Sequence, residues 1–211
     1  MSPPQHAAPV SRLRFEPASS GRPGFLLRCV RGCALGLLLT VLLALAAPLS
    51  AGEIPPTGAR SGVDIARVAA AAWAGDATLI YLENDESLDG QGASPRWGYL
   101  FYSPAQDKAR AYSVRAGKIV AAEDLPMKFQ APPVAAEWID SGRALEVAER
   151  EVGRAFRKEH RATLGTMLLV RGAFQNDDAT TWTLIYNAPH EAPLFVIVDA
   201  IEGRVRRTWR G

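Results

Sequence analysis

Two acidic side chains near the C-terminus are the first candidates for chemistry. Asp199 and Glu202 lie in the stretch FVIVDAIEGRVRR, where an apolar run stops at an acid and a glycine and then resumes. Two carboxylates at close spacing can act as general acid and base. The same pattern is typical of a hairpin turn, because Asp can accept hydrogen bonds from its own backbone and Gly203 can adopt a positive φ. The turn is favoured, so Asp199 and Gly203 are predicted to be structural.

The rest of the sequence contains few other residues that could be catalytic or bind a metal ion. Downstream of the N-terminal region the histidines are His160 and His190, and neither has a second nitrogen or sulfur ligand at a usable spacing. The stretch DESLDG, Asp85 to Gly90, begins like a calcium loop, but its twelfth position is Arg96 where a bidentate Glu is expected. An acidic strand connection is therefore favoured. We predict no catalytic residue, no cofactor and no metal ligand, and hence no enzyme.

The N-terminal region has the layout of a secretory signal. Arg28 and Arg31 precede the stretch CALGLLLTVLLALAAPLSAG, whose apolar centre is shorter than the roughly 20 residues of a spanning helix. Residues 1–51 are predicted to be a signal peptide with a long N-terminal extension. We expect a protein exported to the periplasm or the extracellular space, with no membrane span after cleavage. A retained N-terminal membrane anchor is the alternative.

The charge and cysteine content of the chain from Glu53 onward limit the classes of function that we expect. From Glu53 onward 19 Lys and Arg stand against 21 Asp and Glu, so the basic character of the whole chain belongs to its N-terminal region. A near-neutral chain without a clustered basic face gives no reason to expect nucleic-acid binding. Both cysteines, Cys29 and Cys33, lie in the predicted signal region, so the exported part is predicted to be stabilised by burial alone.

Internal similarity predicts how this part is organised. Several features recur at an offset of 85 residues: Trp97 with Trp182, Phe101 with Tyr186, and Pro104 with Pro189. Apolar residues at helical spacing predict one helix in SGVDIARVAAAAWAG and another in WIDSGRALEVAEREVGRAFRKEH. Asp140 or Ser141 is the expected N-cap of the second helix.

Short runs of aliphatic, Thr and aromatic residues between turn formers predict eight strands. We place these strands at Thr78 to Glu83, Trp97 to Ser103, Ala109 to Arg115, Lys118 to Ala121, Thr163 to Arg171, Thr181 to Asn187, Leu194 to Asp199 and Arg204 to Thr208. Strands this close in sequence need antiparallel neighbours, so the predicted class is α+β, with two tandem helix-plus-strand repeats and each helix packed on one face of a sheet. Whether the halves share one sheet stays open at this point.

The predicted domain organisation follows from these elements. Residues 52–60 are a linker, 61–125 a first, diverged repeat, 126–137 a Pro-rich linker and 138–211 a second repeat.

The second half resembles the PepSY domain. The resemblance is carried by WIDSGRALEVA at the start of a helix, the aromatic strand TTWTLIYN and the closing LFVIVDAIEGRV, which has the family's Asp-Ala, two residues, then Gly. The first half is less similar, since SVRAGKIV lacks the Asp. The resemblance implies an exported, non-enzymatic binding module whose expected role is to bind and restrain a peptidase or another envelope protein. A periplasmic carrier of a small ligand or lipid, with a pocket between helix and sheet, is the alternative.

Aromatic side chains supply candidate contacts for such a partner. Trp97, Tyr99 and Phe101 share one face of a strand and are predicted to pack beneath a helix. We therefore expect recognition on the sheet surface that no helix covers. The candidate partner-binding residues are Tyr102, Tyr112, Phe129 and Trp138. The expected partner is another exported protein, and the sequence leaves the oligomeric state open.

Overall fold

Residues 54–125, 131–173 and 178–211 are described by a computed structural model of the chain. The predicted signal peptide, residues 126–130 of the predicted Pro-rich linker and the candidate Phe129 lie outside these ranges. No helix within them is both long and apolar enough to cross a membrane.

A single antiparallel sheet of eight strands organises the structure. The strands are β1 (Thr78–Asn84), β2 (Arg96–Ser103), β3 (Lys108–Arg115), β4 (Lys118–Leu125), β5 (Thr163–Arg171), β6 (Thr180–Asn187), β7 (Leu194–Asp199) and β8 (Val205–Arg210). Their order across the sheet is β4-β3-β2-β1-β5-β6-β7-β8, so β4 and β8 form its two edges. All eight predicted strands are present, and β4 extends four residues beyond its predicted end because it stays paired with β3 as far as Leu125.

The prediction of two tandem helix-plus-sheet repeats is wrong. β1 pairs with β5 through Tyr81 and Val170, and through Leu82 and Leu169, so both halves of the chain build one continuous sheet. This pairing satisfies backbone groups that two separate sheets would leave at open edges, and it accompanies complete burial of Leu82 and Leu169. The similarity between positions 85 residues apart is limited to local features of the strands. One such feature is the register slip that follows Leu79 in β1 and Leu164 in β5.

The helices cover one face of this sheet. They are a 3₁₀ turn (Ala59–Gly62), α1 (Val63–Trp73), and a longer helical run made of α2 (Ser141–Ala148), a π-helical segment (Glu149–Gly153) and α3 (Arg154–His160). Asp140 is the N-cap of α2, since its carboxylate accepts from the backbone N–H of Ser141 at 2.7 Å. The same carboxylate accepts from the Arg60 N–H at 3.0 Å, so the cap also holds the start of the described chain.

Three tryptophans lie at the centre of the core between helices and sheet. Trp182 makes edge-on contacts with Trp138 at 5.8 Å and with Trp97 at 6.3 Å between ring centroids. The indole N–H of Trp182 donates to the Ile139 carbonyl, and that of Trp97 donates to the Thr57 carbonyl. As the strand alternation predicts, Trp97 faces the helices and is almost fully buried.

Both predicted linkers are bonded to the fold where the structure describes them. Thr57 forms a β-bridge with Ser94, and the Ala59 N–H donates to the Ser141 hydroxyl at 3.2 Å. In the second linker, the Val134 N–H donates to the Leu79 carbonyl at 2.8 Å. These bonds join each segment to elements that are distant in sequence.

Candidate protein-binding surface

The structure buries the described aromatic candidates. Tyr102 is 8% exposed, and its hydroxyl donates to Asp107 at 2.9 Å. Tyr112 is 3% exposed on the helix-covered face, because its register places it beside Tyr99 beneath α1. Trp138 is 5% exposed, with the Arg60 guanidinium 4.7 Å above its ring. Tyr102, Tyr112 and Trp138 therefore do not form an exposed aromatic patch, contrary to our expectation.

Asp199 and Gly203 lie in the turn that joins β7 to β8. Asp199 Oδ1 accepts from the backbone N–H groups of Ile201 and Glu202, both at 2.9 Å, and Gly203 has φ 66°. Burial alone would raise the pKa of Asp199, but these N–H groups and Arg206 outweigh it and lower the pKa. The carboxylate is held as a turn acceptor rather than as a general base.

Gly203→Val is expected to destabilise the protein by about 1–2 kcal/mol, because a branched side chain is strained in the left-handed region. Glu202→Ala should change stability by less than about 0.5 kcal/mol, since its side chain is exposed and its ion pair with Arg204 is solvated. Thermal unfolding monitored by circular dichroism measures both variants. Equal melting temperatures for the two variants, or a lower one for Glu202→Ala, would contradict this role for Gly203.

The acids of DESLDG contact nearby side chains and backbone groups, and Glu86 shares Arg96 with Asp85, at 3.7 Å from the guanidinium. Asp85 accepts from the Ser113 hydroxyl and lies 3.6 Å from the Arg96 guanidinium, whereas Glu86 contacts Arg115 at 3.6 Å. Asp89 accepts from two backbone N–H groups of its own loop. The stretch is therefore an ion-paired and turn-forming connection between β1 and β2.

The two histidines are distant in sequence from the acids of DESLDG and from each other. His160 packs against Phe156 at 4.7 Å between ring centroids, and its Nε2 is 3.7 Å from Glu159. His190 is exposed in the loop between β6 and β7, with φ 61°. Among the residues that the structure describes, no cluster of His, Cys, Asp and Glu could hold a metal ion.

The sheet face opposite the helices carries an uncharged strip across β5, β6 and β7. Trp182, Leu184 and Tyr186 of β6 face the helices, so strand alternation directs Thr181, Thr183 and Ile185 to the other side. The same alternation and the strand register place the neighbouring side chains on this side. We call the partly exposed members the open-face strip: Thr166, Leu168, Val170, Ile185 and Phe195.

Charged groups border the open-face strip on both sides. On the β1 side, Glu83 pairs in register with Leu168 and accepts from the Tyr81 hydroxyl at 2.7 Å. Burial raises the pKa of Glu83, although the Tyr81 hydroxyl opposes the shift. On the β8 side, Arg206 contacts Asp199 at 3.1 Å. The strip is therefore an uncharged band between an acid on the β1 side and an Asp–Arg ion pair on the β8 side.

An aromatic stack closes the strip at the β8 edge. The rings of Phe195 and Trp209 are parallel, with an interplanar angle of 1° and centroids 4.8 Å apart. The Arg207 guanidinium lies 5.6 Å from the Trp209 ring centroid. Both rings are partly exposed, and stacked Trp and Arg groups are frequent anchors in protein interfaces.

The strip and stack residues were not among the predicted contacts, because the prediction did not follow the strand alternation through the second half of the chain. In LFVIVD, Leu194, Val196 and Val198 face the helices, so Phe195 and Ile197 must face away. That parity was readable from the sequence once Trp182 was assigned to the core. The partnership of Phe195 with Trp209 additionally required the register between β7 and β8.

The space between helices and sheet, where the alternative carrier function needs a pocket, is filled by side chains. Trp97, Trp182 and Tyr186 are each no more than 1% exposed there. An open cleft of about 380 Å³ lies elsewhere, at the turn between β7 and β8. Arg171, Asp178 and Asp199 are among its lining residues, and Arg171 is ion-paired with Asp178 at 2.6 Å.

Comparison with known proteins assigns this chain to no family. No protein-family model matches it, and no curated protein matches it. Among solved structures it is similar to a crystal structure named "putative lipoprotein" from Clostridium difficile 630, with 12% sequence identity and a TM-score of 0.48. The match covers 71% of this chain and 91% of that one.

Proposed function

We propose that this protein is an exported, non-enzymatic, PepSY-like binding module. It binds another exported protein through its open-face strip, and the expected partner is a peptidase. The observation that carries the proposal is the uncharged strip itself, which lies on the side of the sheet opposite the helices. Leu168, Val170, Ile185 and Phe195 supply partly exposed apolar area there.

The composition of this surface supports a protein partner. The centres of protein interfaces are depleted in charge, whereas their rims are polar. Ile185 and Phe195 pair in register within the strip. The flanking charges include Glu83 on the β1 side and Arg207 on the β8 side, where Arg206 is paired with Asp199. The opposite charges of Glu83 and Arg207 would orient a partner that carries the complementary pattern.

Substitution of a strip residue by lysine is expected to weaken partner binding at least about tenfold, because it buries an unpaired charge at the centre of the contact. Leu168→Lys and Ile185→Lys are the test variants. Val68→Lys is the matched control, since Val68 is 73% exposed on α1 and lies on the helix-bearing side. The full chain with a C-terminal tag is expressed in its native host, and captured exported proteins are quantified by mass spectrometry.

The proposal expects one exported protein to be captured by the unmodified chain and by Val68→Lys but lost with both strip variants. If it is a peptidase, its activity on a peptide substrate should fall when the purified chain is added. Equal capture by all four proteins would contradict the strip as the binding surface. Capture of a protein that is not a peptidase would retain the binding function and remove the peptidase assignment.

A further inference from the structure

The two edges of the sheet differ in what they can pair with. Strand β8 carries Arg206, Arg207 and Arg210 and no acid, so antiparallel pairing of two β8 strands would bring like charges together. Strand β4 has the sequence KIVAAEDL, with an uncharged centre between a base and two acids. Its first seven residues are exposed, and Val120 is 51% exposed.

Within β4, the charges suited to an outside partner are Lys118 and Glu123. Asp124 is engaged by Arg110 of β3 at 3.3 Å, whereas neither Lys118 nor Glu123 forms an ion pair with another described residue. An antiparallel strand that complements β4 must therefore present an acid opposite Lys118, small apolar residues at its centre and a base opposite Glu123. The segment KIVAAE, read in the reverse direction, has this order.

We infer that β4 pairs antiparallel with β4 of a second copy of this chain, placing Lys118 of each copy opposite Glu123 of the other. In this register Ile119 lies opposite Ala122, and Val120 lies opposite Ala121. The pairing is symmetric about a two-fold axis, so each contact is made twice.

The faces of the sheet agree with this register. Lys118 pairs with Arg115 and Glu123 pairs with Ala111, so both side chains are on the helix-free face. Ile119 pairs with Val114 and Ala122 pairs with Tyr112, which places both on the helix-covered face. Directly opposed residues of an antiparallel pair must lie on the same face of the sheet. The extra residue Val120, at the bulge, shifts the alternation by one residue, so Lys118 and Glu123 share one face and Ile119 and Ala122 share the other.

The symmetric pairing extends the sheet to sixteen strands, twice the eight of one copy. Because the two-fold axis is perpendicular to the sheet, both helix layers lie on one side and both helix-free faces on the other. The inference does not depend on the proposed partner binding. A dimer of this form would nevertheless present two open-face strips side by side, which favours bivalent partners.

Charge reversal tests the pairing without disturbing the core. Lys118→Glu or Glu123→Lys places like charges at both symmetric contacts, and each is expected to weaken dimerisation at least about tenfold. A mixture of the two variants restores both opposite-charge contacts, so a heterodimer should form with an affinity near that of the unmodified chain. Lys158→Glu, at an exposed position on α3, is the matched control and should dimerise normally.

Sedimentation velocity of the purified full chain in the micromolar range measures these states, with the first residue of each preparation recorded by mass spectrometry. The inference expects a dimer for the unmodified chain and the control, monomers for each single variant, and recovery on mixing. A monomeric unmodified chain would overturn it. So would single variants that dimerise like the control, or variants that stay monomeric when mixed.

Discussion

Trp182→Ala is expected to lower the free energy of unfolding by about 3–5 kcal/mol, the range for removing a large aromatic side chain from a packed core. Trp182 is fully buried and contacts the rings of both Trp97 and Trp138. Its loss leaves a cavity between sheet and helices. It also removes the donor to the Ile139 carbonyl beside the start of α2.

Chemical denaturation monitored by far-UV circular dichroism measures the effect of Trp182→Ala, since tryptophan fluorescence would change with the substitution itself. Trp209→Ala is the matched control, because Trp209 is partly exposed on an edge strand and should cost much less. Similar losses for the two variants would contradict the placement of Trp182 at the centre of one shared core.

Gly153→Ala is expected to destabilise the protein by about 1–3 kcal/mol, although Ala has the higher helix propensity. Gly153 ends the π-helical segment, where an added Cβ would lie 2.5 Å from the Tyr186 hydroxyl and 2.7 Å from its Cζ. Both partners are buried, so the clash cannot be relieved by movement into solvent. Helix propensity alone would predict a gain of about 1 kcal/mol, so the two explanations differ in sign.

A double-mutant cycle identifies the cause of the Gly153→Ala effect. Tyr186→Phe removes the nearer atom, so Gly153→Ala should cost less in that background than in the unmodified chain. Burial raises the pKa of Tyr186, and the adjacent Glu149 carboxylate raises it further, so the hydroxyl stays protonated throughout the physiological range. Equal costs in the two backgrounds would exclude the hydroxyl contact as the source.

Local structure was largely predictable from this sequence. Strand positions followed from runs of β-branched and aromatic residues, and the cap of α2 followed from Asp140 before a helical pattern. The turn at Asp199 and Gly203 followed from residue chemistry, since backbone acceptance by Asp and a positive φ at Gly are local properties.

Long-range pairing was not predictable in the same way. Residue alternation in β1 and β5 states which side chains share a face, but not that Leu82 will lie beside Leu169. The same limit applies to the candidate site. Tyr112 and Trp138 were predicted to be exposed, but strand register buries Tyr112 beneath α1 and the segment around Arg60 covers Trp138. The side of the sheet on which the strip residues lie follows from strand alternation once Trp182 is assigned to the core, but their neighbours across strands require the registers.

The most direct test of the account is the affinity of the captured exported partner for the unmodified chain and for Ile185→Lys, with Val68→Lys measured alongside. Isothermal titration with purified partner supplies the three dissociation constants. We expect Ile185→Lys to bind at least about tenfold more weakly while Val68→Lys binds like the unmodified chain. Equal affinities for all three, with unchanged melting temperatures, would contradict the claim that the helix-free face is the binding surface.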